Sequence, residues 1–187
     1  MGRWEPGAGG RLREAALNLY LERGFEQTMV ADIAERAGVT ARTFFRYFAD
    51  KREVLFDAAA ELEEKSLAAL EAAPATASPL EAVAAALDAV AGFVERDRDL
   101  ARTRYAVIMA NADLRERELI KLAHMSAALA DGLRRRGIGD AEASLAAETG
   151  SAVYRVAFRR WVDADDLDLR DAIDQSFAQL RTLTASD

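Results

Sequence analysis

The sequence predicts an all-α fold in two parts, a small N-terminal three-helix bundle joined to a larger helical body. Three observations carry this. Apolar residues recur at i, i+3, i+4 and i+7 through most of the chain, the period of helices buried on one face. Nothing in residues 53–187 alternates at the strand period between turn residues. Breakers are scarce: 11 Gly and 3 Pro in 187 residues, with 51% hydrophobic residues, exclude collagen-like and disordered classes. The length allows one domain, or a small domain with a larger one, and there is no internal repeat.

Residues 1–10 are Gly-rich and aperiodic, so a flexible arm is expected there. Over 11–23, Leu12, Ala15, Ala16 and Leu19 form one helical stripe, and Gly24 supplies the stop. Thr28 is the expected N-cap of a short helix with Val30, Ile33, Ala34 and Ala37 on its apolar face, ended by Gly38. Thr40 caps the next helix, whose Phe44 and Phe48 lie one turn apart on the inner side. Asp50 and Glu53 have the spacing of a capping box, opening a long helix to about residue 73 with Leu55, Ala58 and Leu62 inward.

Residues 72–79 make the clear mid-chain break, and Ser78, Pro79 and Glu81 then supply an N-cap, a first-turn proline and a box partner. Helical patterns follow over 79–96, 99–110 and 113–136. Arg134, Arg135 and Arg136 complement the dipole of the last of these, and Gly137 closes it; the run is read as a helix end rather than an anion site. Asp140 is the expected cap of an Ala-rich helix over 141–163 that contains Gly150 and Ser151. The final helix, about 168–184, carries Leu169, Ile173, Phe177 and Leu180 in one stripe. The organisation is therefore an arm at 1–10, a bundle at 11–52 and a body at 53–187.

Composition removes several chemistries. The absence of cysteine removes disulfides, thiolate metal sites and cysteine nucleophiles, a single histidine, His124, argues against most transition-metal and Ser-His chemistry, and no metal or cofactor is expected. No apolar run reaches the roughly 18 residues of a membrane span, and the start lacks a hydrophobic signal core, so a cytoplasmic protein is expected. A net charge of −7 argues against unspecific coating of nucleic acid. The distribution matters more: residues 1–52 hold nine Lys/Arg against seven Asp/Glu, and the remainder 16 against 25. A mildly basic head on an acidic body fits a protein of which only the head approaches phosphate.

Residues 28–51 read as two short helices across a Gly-Val turn, a helix-turn-helix pattern. Ile33, Ala34, Val39, Phe44 and Phe48 point inward; Thr40, Ala41, Arg42, Thr43, Arg46 and Tyr47 point outward. Arg42 has the planar fork that pairs with guanine O6 and N7, while Ala41 and Thr43 are small enough for a thymine methyl. Thr28, Thr40, Arg46, Tyr47 and Lys51 suit phosphate oxygens. The pattern alone leaves two readings open, a DNA-reading helix and a helical core in which Phe44, Phe45, Tyr47 and Phe48 are all buried.

From Arg11 to about Leu55 the chain resembles the N-terminal domain of the tetracycline-repressor (TetR) family of bacterial regulators. The resemblance lies in a helix ending Gly-Phe, a Thr, Asp-Ile-Ala, Ala-Gly-Val-Thr, an aromatic cluster ending in Phe, and Lys-x-x-x-Leu. It implies base-reading or close-approach positions at Ala41, Arg42 and Thr43, and phosphate contacts at Thr28, Phe45, Tyr47 and Lys51. Two positions depart: the family often has Gly at Arg42 and Tyr at Phe45, so an added base or phosphate contact is implied at the first and packing against sugar at the second.

The resemblance further implies a homodimer formed through the last two helices, binding a near-palindromic double-stranded DNA operator, and a body that senses a small molecule. Residues 99–137 resemble a branch associated with acyl-coenzyme-A-like ligands, implying an acyl-CoA-like or other apolar anionic effector. Candidate ligand contacts are Arg104, Tyr105, Met109, Asn111, His124, Tyr154, Arg155 and Phe158. Each has an ordinary reading as core or surface, His124 above all. The expected function is a ligand-responsive DNA-binding regulator, a repressor released by its effector, and no enzyme. The alternative is a helical acyl-ligand-binding protein or enzyme without DNA function; no nucleophile–base pair or phosphate loop supports it.

Overall fold

The computed structural model describes residues 7–185. These form α1 (Ala8–Arg23), α2 (Val30–Arg36), α3 (Ala41–Tyr47), α4 (Ala59–Ala72), α5 (Pro79–Val94), α6 (Arg98–Met109), α7 (Ala112–Arg135), α8 (Asp140–Asp163) and α9 (Leu169–Thr184). Short 3₁₀ turns occupy Glu53–Phe56 and Glu95–Asp97, and no strand occurs among the described residues. Residues 1–6 of the expected arm lie outside the described residues, and Ala8 to Gly10 are the first turn of α1 rather than loop.

The chain divides into two compact units. The first holds the residues up to Ala59 together with Arg102–Glu118; the second holds Ala60–Ala101 and Leu119 onward. The expected boundary at 52/53 falls inside the first unit. Residues 102–118 are fastened there by polar contacts. Arg117 meets the Glu53 carboxylate at 2.6 Å, and Asn111 Nδ2 donates to Glu26 Oε1 at 2.8 Å. Arg104 donates to the Leu55 carbonyl and to Glu118, each at 2.6 Å.

Several helix starts differ from the sequence reading, each for a local reason. The N-cap of α2 is Met29, because Asp32 Oδ2 reaches back to the Met29 N–H at 3.0 Å while Thr28 turns inward. Asp50 does accept from the N–H groups of Arg52 and Glu53, at 2.7 and 3.1 Å. Glu53, however, is drawn to Arg117, so the box stays half-made; the expected long helix is split into the 3₁₀ turn and α4. Gly139, not Asp140, caps α8, and the Asp140 carboxylate instead takes Arg134 at 2.7 Å. The Ser78–Glu81 box forms as expected, at 2.7 and 3.3 Å.

In the second unit α8 packs along α5 and α9. The close α5–α8 approach depends on Gly150, where a Cβ would overlap the Val83 side chain. Trp161, 1% exposed, closes the same core beside Phe158. The Arg134–Arg136 run is fully engaged: Arg134 with Asp131 and Asp140, Arg135 with Glu71, and Arg136 with the carbonyls of Leu70, Ala73 and Pro74 at the end of α4.

Candidate nucleic-acid interface

A helix of seven residues is too short to hold itself, so α3 depends on its inner face and its caps. Phe44 is fully buried and Phe48 is 7% exposed, with ring centroids 5.5 Å apart. The turn before α3 uses Gly38 at φ 67°, a left-handed conformation costly for other residues, and Val39 N–H closes it on Ala34 O at 2.9 Å. Thr40 caps α3 as expected, its Oγ1 accepting from Thr43 N–H at 3.2 Å.

With Phe44 and Phe48 locked inside, the opposite face is fixed outward. Thr40, Ala41, Arg42, Phe45, Arg46 and Tyr47 are all exposed, and Thr43 is half-buried with its hydroxyl 3.1 Å from that of Thr40. Among the described residues Arg42 has no hydrogen-bond or ion-pair partner. Arg46 instead lies 5.1 Å from the centre of the Tyr47 ring. Phe45 is 58% exposed, so the reading of all four aromatics as core is wrong for this face. A planar cation free of partners beside a methyl-sized residue and an exposed ring is a set suited to base edges in a major groove.

Two of the expected phosphate donors are turned away from this face. Thr28 is fully buried; its hydroxyl donates to Gly24 O at 2.9 Å and Leu19 O at 3.3 Å, because the α1 C-terminus leaves carbonyls that need donors. Lys51 Nζ donates to the carbonyls of Phe25, Thr28 and Glu26 at 2.8, 3.0 and 3.3 Å. Tyr20 OH donates to Lys51 O at 2.6 Å, and its pKa is held above the ordinary phenol range by burial first and by Asp50 second. One participant was not read from sequence. Gly9 lies so near Tyr47 that an added Cβ would sit 3.3 Å from its ring, and the Gly-rich start hides that Ala8 and Gly9 belong to a helix.

The expected ligand contacts are scattered. Arg104, Tyr105, Met109 and Asn111 belong to the first unit, and there Arg104 is committed to Leu55 and Glu118 while Asn111 Oδ1 caps α7. In the second unit Tyr154 and Phe158 are brought together, ring centroids 5.7 Å apart, whereas His124 and Arg155 are exposed. Two hollows of about 270 and 240 Å³ are lined by other residues, the larger by Glu95, Arg98, Trp161, Asp168, Arg170 and Asp171. Among the described residues no His/Cys/Asp/Glu group could hold a metal, and no helix is long and apolar enough to cross a membrane.

The model of bacterial regulatory proteins of the tetR family matches residues 12–62, and that of the MftR C-terminal domain matches residues 77–185, more than half the chain. The chain belongs to the TetR family. The regulator TcmR of Streptomyces glaucescens is 45% identical over 107 residues, a match covering 57% of this chain and 47% of TcmR. MftR of Mycobacterium tuberculosis, a regulator assigned to mycofactocin biosynthesis, is 26% identical over 169 residues, covering 89% of this chain and 85% of MftR. The chain thus spans less than half of the first relative and most of the second. Among solved structures, the TetR-family repressor FadR of Thermus thermophilus in complex with lauroyl-CoA shares the fold, with a TM-score of 0.54 at 23% identity over 96% of both chains.

Proposed function

We propose that this TetR-family member is a transcriptional repressor that binds a near-palindromic DNA operator as a homodimer and releases it when a small molecule occupies the second unit. The observation that carries the reading is Arg42, exposed and unengaged on a helix whose other face is locked by Phe44 and Phe48. Dimerisation through α8 and α9 is supported by uncovered apolar side chains. Leu145 and Val156 on α8 are 70% and 53% exposed, eleven residues apart on one face, and Leu183 on α9 is 77% exposed. A two-fold pair would set the two copies of α3 about 34–36 Å apart along the duplex.

The effector class is an acyl-CoA-like thioester, supported by lauroyl-CoA in the Thermus FadR complex. Release then follows from a ligand that binds the DNA-incompetent conformation more tightly than the competent one. The test is footprinting on the chain's own promoter region with and without lauroyl-CoA. A protected palindrome is expected, and Arg42→Ala should cost about 1–3 kcal/mol there. No protected palindrome, or affinity indifferent to Arg42→Ala, overturns the DNA reading; a footprint unmoved by lauroyl-CoA overturns the effector class.

A further inference from the structure

We infer that Lys51 is a positioning residue, a staple that sets the α2–α3 pair on α1, and not a contact to DNA phosphate. The inference rests on the reading that α3 meets DNA. An ammonium has three N–H donors, and Lys51 directs its own to three converging carbonyls, those of Phe25, Glu26 and Thr28, all within 3.3 Å. The same nitrogen lies 4.3 Å from the centre of the Phe25 ring, which forms one wall of its site. Tyr20, edge-on to Phe25, donates to the Lys51 carbonyl. Lys51 follows the end of α3, and the residues it grips form the turn between α1 and α2. One side chain therefore ties the exit of α3 to the approach of α2. A phosphate could take this ammonium only by displacing a carbonyl that has already replaced its water.

The geometry also separates Lys from Arg. A compact ammonium satisfies three carbonyls around one point, whereas a planar guanidinium fork does not. A phosphate contact, by contrast, accepts either cation.

The test uses the full chain, with Lys51→Arg and Lys51→Met. Amide hydrogen exchange over residues 24–30 is measured without DNA, and binding to a promoter-region duplex is measured over a salt series. For a staple, both variants speed exchange in this turn by about tenfold or more. Both also weaken binding similarly at every salt concentration and leave the slope of log K against log salt unchanged. For a phosphate contact, exchange is unaltered, Lys51→Arg keeps affinity, and Lys51→Met reduces the slope by about 0.9; that outcome overturns the inference. If Lys51→Met fails to fold by far-UV circular dichroism, Tyr20→Phe loosens the same staple with no change in charge. It should weaken binding at constant slope, and unchanged exchange and affinity in Tyr20→Phe and Lys51→Arg would overturn the inference. If the wild type binds no DNA, the exchange measurement still decides the staple, and only the DNA reading falls.

Discussion

In the first unit α2 and α3 are seven residues each, whereas in the second α5 runs to 16 and α8 to 24. Helices shorter than about 12 residues are marginal by themselves, and the first unit compensates with side-chain bonds to the backbone at nearly every turn. Thr28 takes the last carbonyls of α1, Asp32 the start of α2, Thr40 the start of α3, Asp50 the turn after it, and Lys51 the loop between α1 and α2. The second unit relies instead on close apolar packing, with Gly150 against Val83 and Trp161 sealed in the core. The difference separates two ways of fixing a helix, by discrete polar locks and by filled volume. It predicts that the two units answer differently to volume, pH and salt.

The largest expected effect is Trp161→Ala. The side chain is 1% exposed, and its ring also carries the Arg98 guanidinium 4.9 Å from its centre. Truncation should cost about 3–5 kcal/mol in urea unfolding followed by circular dichroism, with little dependence on salt. A loss below about 1 kcal/mol would mean that filled volume is not what holds the second unit.

Gly150→Ala sharpens the same side of the comparison. The new methyl meets Val83, so overpacking of about 1–3 kcal/mol is expected. Combining it with Val83→Ala should cost less than the two single changes added together, because the second change vacates the space the first needs. Additive costs in that cycle would place the strain elsewhere.

These two modes explain what the sequence made legible. Each polar lock in the first unit demands one residue type at one position, so Gly38, Thr40, Phe44 and Phe48 stand out and the helix-turn-helix can be read directly. The direction of a lock is harder to read. Thr28 and Lys51 have side chains that suit phosphate, and only the fold shows that the Thr28 hydroxyl bonds the Gly24 carbonyl and the Lys51 ammonium the carbonyls of the turn between α1 and α2. In the second unit the helical period gave the extents of α5, α8 and α9, since burial on one face needs only apolar residues at the right spacing. A polar residue on such a helix is harder to assign: Arg104 and Asn111, both in the first unit, are as suited to ion pairing and capping as to ligand contact, and the structure uses them so. The grouping of residues 102–118 with the first unit rests on Glu26, Glu53 and Leu55, up to 85 residues away in sequence, a separation no local pattern encodes.

The smallest expected effect probes a polar lock through pH. Burial opposes the charge on Asp50, but bonds from the Arg52 side chain and from the Arg52 and Glu53 N–H groups outweigh it, leaving the carboxyl below its ordinary pKa. A carboxyl whose native pKa lies below its unfolded value of about 3.9 stabilises the fold above that pH and loses the contribution as pH falls through the native value. Asp50→Asn keeps an acceptor for the N–H groups and removes the charge. Because the carboxylate is 38% exposed, solvent screens its pair with Arg52, and the cost at neutral pH should be about 1 kcal/mol or less. Amide exchange over residues 50–56 should therefore be faster in Asp50→Asn at pH 7. Compared at matched pH in steps from 5 downward, the difference should close once the wild-type carboxyl is protonated. A gap that persists in acid would assign the lock to shape rather than charge and bring the first unit nearer to the second.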